Sequence, residues 1–213
     1  GNMKNCKKYF IIFILLFLYV MLYSFSYANN VVSDLSNSLF RLHVIANSNS
    51  KEDQNLKYLV RDELISYMNT LCSNVSSKEQ AIAIANEHLD DFQKVANEVI
   101  SKNGFNYSAK VQIGNFAFPT KTYGDISLPA GYYDALKVEL GKAEGKNWWC
   151  VMFPSLCFVD INNGIVPEES KEELQSSLLE EDYNLISSNN SEYKLKFKIV
   201  ELFENSKIFT AKK

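Results

Sequence analysis

The chain has 213 residues, of which 46% are apolar and 22% are charged, and this composition is typical of one globular domain. Its 22 basic and 25 acidic side chains give a net charge of −3. An excess of negative charge disfavours nucleic acid and anionic membrane surfaces as partners.

The first 28 residues have the pattern of a secretory signal peptide. Three lysines precede an apolar run over residues 10–23, and the small residues Ser26 and Ala28 follow it. This order predicts cleavage between Ala28 and Asn29. The alternative is an uncleaved membrane anchor formed by residues 10–27, although the apolar run is shorter than the ~20 residues that span a bilayer. Cleavage would remove three lysines and no acid, which leaves 19 basic and 25 acidic side chains.

Three further segments follow the signal peptide. Residues 29–38 are polar and predict a tether or frayed terminus, residues 39–204 a globular domain, and residues 205–213 a tail. The domain begins with an alternating pattern in which Phe40, Leu42, Val44 and Ala46 share one face. This period of two predicts a strand with one face in the core, ending at a polar turn over residues 47–50.

Two amphipathic helices are predicted next. Ser50 with Asp53 three residues later marks the start of the first, and Ser77 with Gln80 marks the start of the second. Apolar residues recur at helical spacing over residues 56–71 and 82–99. The short connection between the two helices predicts an antiparallel helical hairpin.

The remaining residues favour a sheet. Alternation predicts strands over residues 105–118 and 136–140, separated by a loop, and an exposed hairpin loop over 141–147 that leads into the next strand. Residues 169–182 have the composition of a short acidic helix, and residues 193–201 predict a last strand at a sheet edge. The fold class expected is α+β: a single domain with a mostly antiparallel sheet packed against the N-terminal helical hairpin.

The most apolar stretch of the domain contains both tryptophans. Six consecutive apolar residues run from Trp148 to Phe153, too few for a buried helix and too continuous for a half-exposed strand. They predict a strand covered on both faces at the centre of the core. Burial of Trp148 and Trp149 would then supply a large part of the domain's stability.

One cysteine inside this stretch and one just after it could form a disulfide. Cys150 and Cys157 would lie ~23 Å apart in one continuous strand, so a bridge requires the chain to reverse at Pro154 and Ser155. Export from the cytosol favours the bridge. The alternative is that both cysteines are reduced and buried as small apolar side chains.

His43 is the strongest candidate for chemistry in the sequence, with Arg41 and Asn47 close to it. A general base would have this setting, but so would a half-exposed histidine beside a helix cap, which is the commoner case. A hydrolase that uses His43 with a cysteine is therefore the alternative function. The spacing of histidines and cysteines predicts no metal site, and no motif indicates a cofactor or a small-molecule substrate. Tyr132 lies beside a turn, where aromatic side chains often contact partners.

Four segments of the chain resemble a known family. They are Arg41-Leu-His-Val-Ile-Ala-Asn-Ser48, Val60-Arg-Asp62, Leu128-Pro-Ala-Gly131 and, above all, Asn147-Trp-Trp-Cys-Val-Met-Phe-Pro-Ser-Leu-Cys-Phe-Val-Asp160. The chain is similar to the stage II sporulation protein R family over a region from about Leu39 to Phe203. The tryptophan and cysteine block is long and unusual in composition, which makes the resemblance specific.

The resemblance implies a signalling protein of endospore formation. Family members are made in the forespore, are exported into the space between forespore and mother cell, and activate a membrane-embedded mother-cell protease. That protease then processes the precursor of the mother-cell sigma factor. The resemblance supplies no catalytic residues, so the chain is expected to be a ligand that shifts its receptor towards an active, dimeric state. Arg41, His43, Asn47, Tyr132, Trp148 and Trp149 are the candidates for core or partner contacts.

Overall fold

The computed structural model describes residues 2–72, 75–154 and 166–187. Its first element is a continuous helix, α1, over Asn2–Ser38. Large apolar side chains from Tyr9 to Tyr27 are exposed, and this helix is long and apolar enough to cross a membrane. It therefore fits either a signal peptide or an anchor, and Ala28 and Asn29 lie inside it.

The last turns of α1 differ from the tether that the sequence predicted. Residues 29–38 are helical, and Val31 and Leu35 are buried with 4% and 0% of their surface exposed. Val32 packs against the backbone at Gly131, where an added Cβ would come within 2.8 Å of its side chain. This segment belongs to the folded domain because its apolar side chains lie four residues apart on one helix face.

Strand β1 covers Phe40–Ile45, as the alternating pattern predicted. Helix α2 covers Lys51–Leu71, and the Ser50 side chain caps it by accepting a hydrogen bond from the Asp53 backbone N–H. The second predicted helix is divided at His88 into α3, Lys78–Glu87, and α4, Leu89–Lys102. Ser77 caps α3 through the Gln80 N–H, so both predicted helix starts are confirmed.

The sheet contains β1 and three later strands: β2, Ala109–Phe118; β5, Gly131–Leu140; and β6, Asn147–Phe153. Between β2 and β5, a small hairpin of β3, Lys121–Tyr123, and β4, Ile126–Leu128, replaces the predicted loop. The described part ends with two short acidic helices, α5, Glu168–Ser177, and α6, Glu180–Ser187, where one helix was predicted. The predicted last strand over 193–201 and the tail lie outside the described residues.

The strand order is β2-β5-β1-β6. The pairs β2–β5 and β1–β6 are antiparallel, and β1 runs parallel to β5. Helices α2, α3 and α4 pack on one side of this sheet, here called the helix side. The expected α+β class, with a mostly antiparallel sheet against an N-terminal helical hairpin, is confirmed.

The position of the tryptophan strand corrects one prediction. Strand β6 lies outside β1, and no described strand pairs with its outer side. Trp148 and Trp149 are half-buried, whereas β1 is buried along almost its whole length. The central strand, covered on both faces, is therefore β1.

The loop before β6 is also not the hairpin loop that was predicted, because β1 lies between β5 and β6. The loop crosses the end of β1 and is bonded to it: the backbone N–H groups of Glu144 and Gly145 donate to the carbonyls of Asn47 and Ala46. These bonds join the two strands that flank β1 to the turn that follows it.

Candidate functional site

Basic and aromatic side chains gather on the side of the sheet opposite α2, α3 and α4. Alternation along β1 places Arg41 and His43 on this side. Aromatic rings from neighbouring strands surround them, and together they form what we call the Arg41–His43 cluster: Arg41, His43, Phe118, Tyr123, Tyr133 and Trp149.

His43 is held on two sides. Its ring stacks on Trp149 with 3.6 Å between centroids and 16° between planes. Its Nε2 lies 2.8 Å from Asn147 Oδ1, and because that oxygen can only accept, Nε2–H is the donor. The Nδ1 atom is buried and has no hydrogen-bond partner among the described residues.

His43 is uncharged at neutral pH. Burial lowers its pKa to about 4, and the hydrogen bond with Asn147 opposes this shift only in part. Only 6% of the residue is exposed, so the half-exposed position expected from the sequence is wrong. A histidine with so low a pKa is a weak general base.

Arg41 is fully buried, with 0% of its surface exposed. Its Nη2 donates to the Tyr123 hydroxyl at 2.9 Å, and its guanidinium carbon lies 4.1 Å from the Phe118 ring centroid and 4.8 Å from that of Tyr133. The Tyr123 hydroxyl in turn donates to the Trp149 carbonyl at 2.8 Å. No carboxylate among the described residues forms an ion pair with Arg41, so aromatic rings and neutral oxygens solvate its charge.

The other predicted site residues lie elsewhere. Trp148 is on the helix side, with its ring 5.4 Å from that of Tyr58 on α2. Tyr132 is 47% exposed near the start of β5. The structure therefore brings Arg41, His43 and Trp149 together, but not Trp148 or Tyr132.

Asn47 has a structural position at the end of β1. Its Nδ2 donates to Asp53 Oδ2 at 2.9 Å, and its Oδ1 accepts from the Lys142 backbone N–H at 2.9 Å. Asp53 also accepts from the hydroxyls of Ser48 and Tyr107, the latter at 2.6 Å. Asn47 thereby connects the turn after β1 to the loop after β5.

Among the residues that the structure describes, no cysteine side chain lies beside His43. Cys150 pairs with Leu42 across the β1–β6 ladder, so its side chain lies on the helix side, opposite His43. Cys72 lies at the end of α2, and burial raises the pKa of its thiol. Cys157, with the predicted Cys150–Cys157 disulfide, falls outside the described residues, so the bridge stays a prediction.

Several residues near these sites were missed by sequence reasoning. Asn147, which orients His43, was read only as a loop residue. Lys57 and Arg61 are 2% and 5% exposed within the buried face of α2. The two residues lie four positions apart, next to the apolar stripe of α2. This spacing indicates a buried position, but their charges led to the prediction that they are exposed.

The fold and this site define a class of protein: an α+β domain joined to an N-terminal apolar helix, with an aromatic and basic cluster on one side of its sheet. No group of three or more metal-binding side chains is found among the described residues. No solved structure matches the chain.

Comparison with known sequences identifies the family. The model of the family described as "Stage II sporulation protein R (spore_II_R)" matches residues 36–163. A protein of Bacillus subtilis (strain 168) named "Stage II sporulation protein R" is 39% identical over 132 residues, which cover 62% of this chain and 59% of that relative. The chain belongs to the stage II sporulation protein R family, and its role is in sporulation.

Proposed function

We propose that the protein is a signal between the two compartments of a developing endospore. In this proposal it is exported across the forespore membrane and contacts a membrane-embedded protease of the mother cell. That contact activates the protease, which processes the precursor of the mother-cell sigma factor. Family membership is the observation that carries the proposal.

Two features of the chain support it. Helix α1 supplies the long apolar segment that export requires. The charged and polar groups of the Arg41–His43 cluster are buried among aromatic rings. This packing keeps the sheet rigid, as a binding protein requires. We propose that the protein acts by binding and has no catalytic activity of its own.

The proposal is tested by co-expressing three components in a host that does not form spores: this chain, the membrane protease and the sigma-factor precursor. We expect processed precursor only when all three are present. A matched chain without residues 1–28, which stays in the cytosol, should give none. Equal processing with the chain that lacks residues 1–28 would contradict the proposed export. Processing in the absence of any form of the chain would contradict the proposed activation of the protease.

A further inference from the structure

A second group of basic and aromatic side chains lies on the helix side, between α2 and β6. It consists of Lys57, Tyr58 and Arg61 from α2 and Trp148 from β6, and we call it the Lys57–Arg61 site. The Arg61 guanidinium carbon lies 4.5 Å from the Trp148 ring centroid and 5.1 Å from that of Tyr58. The Lys57 ammonium lies 4.7 Å from the Tyr58 ring centroid.

Two hydrogen-bond donors in this site have no acceptor among the residues that the structure describes. Arg61 binds Asp62 through Nε and Nη2, at 2.7 and 2.6 Å, but its Nη1 is buried without a partner among the described residues. The indole Nε1–H of Trp148 is likewise buried without a partner among the described residues. A buried donor without an acceptor destabilises the folded chain, so a ligand that supplies an acceptor is favoured at this site.

Positive charge in the site also exceeds negative charge. Lys57 Nζ donates to two neutral oxygens, Gln54 Oε1 at 2.7 Å and the Lys146 carbonyl at 3.2 Å. Burial, together with the nearby charges of Arg61 and Lys146, lowers the pKa of Lys57 to about 8. Asp62 is 57% exposed and lies at the rim. The site therefore has two buried cations, one rim carboxylate and two unused donors.

Tyr58 packs against the two cations and against Trp148. Because Tyr58 is half-exposed, we expect a ligand to reach the site by displacing this side chain towards solvent. Leu59 beside it is 45% exposed, which gives the opening an apolar rim.

We propose that the Lys57–Arg61 site binds the carboxylate of an aspartate or glutamate side chain of a partner protein. A planar guanidinium, an ammonium and an indole N–H are all donors, so the complementary group is an anion with several acceptor sites. Arginine, tryptophan and tyrosine are also the residues most often found at the centre of protein interfaces. The inference rests on the proposed function only for the existence of a protein partner.

The test uses the full chain in detergent micelles, labelled with ¹⁵N at its two tryptophans, so that a two-dimensional spectrum contains one indole N–H signal for each. Substitution Trp149→Phe assigns them. The probe is glutamate blocked as its N-acetyl N-methylamide, and blocked glutamine is the uncharged control. We expect blocked glutamate to shift the Trp148 signal saturably and to leave that of Trp149 in place, whereas blocked glutamine shifts neither.

Arg61→Gln should weaken this binding roughly tenfold or more, because a charged donor is lost. The control Lys51→Gln removes one exposed positive charge from the same helix and should leave the affinity unchanged. Lys57→Met provides a second variant if Arg61→Gln does not fold. The proposal is overturned if the two blocked amino acids act alike, or if folded variants of Arg61 and Lys57 bind as the parent chain does. This experiment does not measure sigma-factor processing. A negative result would therefore contradict the binding site but not the proposed function, which the co-expression experiment tests.

Discussion

At the scale of single residues, the domain buries polar groups that sequence patterns place at the surface. His43 is the clearest case, since its alternation with apolar residues predicted an exposed strand face. The ring of Trp149 and the amide of Asn147 instead enclose it. Its low pKa follows from that enclosure and makes a pH dependence measurable.

Stability should fall as His43 becomes protonated. Its folded pKa of about 4 lies below the ordinary value of 6.5, so the stabilising neutral form is fully present above pH 6.5. The stabilisation is lost as the pH falls from 6.5 towards 4, by about 3 kcal/mol in total. We expect His43→Gln, which keeps a donor for Asn147, to show a flatter dependence of unfolding free energy on pH in urea titrations. Carboxylates titrate equally in both proteins, so parallel curves would contradict a buried neutral His43.

The Asp53 network makes a second prediction at this scale. Burial alone would raise the pKa of Asp53, but hydrogen bonds from Ser48, Tyr107 and Asn47 outweigh it and hold the pKa below its usual value. Tyr107→Phe removes one of these donors and should cost about 1–2 kcal/mol of unfolding free energy. Tyr132→Phe is the matched control because Tyr132 is exposed, and it should change stability by less than about 0.5 kcal/mol. Equal effects of the two substitutions would show that the network is not stabilising.

At the scale of elements, the last turns of α1 are the main departure from expectation. Val31, Leu35 and Leu39 are spaced by four residues and are all buried. Polar residues between them gave the segment the composition of a tether. Lys78 of α3 reinforces the contact by donating to the Ser36 carbonyl at 2.6 Å while pairing with Asp134 of β5.

Leu35→Ala should therefore destabilise the domain by about 2–5 kcal/mol, because it leaves a cavity between α1 and the core. Leu16→Ala, in the exposed part of the same helix, should have no effect on domain unfolding measured in detergent. A chain beginning at Asn29 should keep the stability of the full chain, whereas one beginning at Leu39 should lose it. Equal stability of these two shortened chains would show that residues 29–38 are a tether after all.

The same scale shows what local sequence could and could not predict. The starts of α2 and α3 were predicted correctly because a capping hydroxyl bonds a backbone N–H only three residues away. Strand order was not predictable in this way, since β1 enters between β5 and β6 through contacts about 100 residues apart in the chain. The size of the tryptophans predicted a central position for β6. In the structure their rings contact Tyr58 of α2 and His43 of β1 in a strand that is the last of the described sheet. Lys57 and Arg61 were missed because their burial depends on Tyr58 and Trp148.

At the scale of the whole molecule, we propose a ligand and not a hydrolase, and the placement of two candidate side chains supports this proposal. His43 is a neutral, enclosed side chain, and Cys150 lies on the opposite side of the sheet. The Arg41–His43 cluster and the Lys57–Arg61 site cover the two sides of the same strand pair, β1 and β6. Because Arg41 and His43 are buried, we propose that their cluster stabilises this strand pair and that the Lys57–Arg61 site on its other side binds the partner.

The most direct test of the central claim is a titration of the exported protein against a fixed amount of the membrane protease, with the initial rate of sigma-factor precursor processing as the readout. A ligand that acts by contact should raise this rate until the protease is saturated, and removal of the protein should return the rate to its basal level. A protein that acts as an enzyme on the protease would activate all of it at a small fraction of equimolar amount, and the activation would persist after removal. The account predicts the first result, and the second would contradict it.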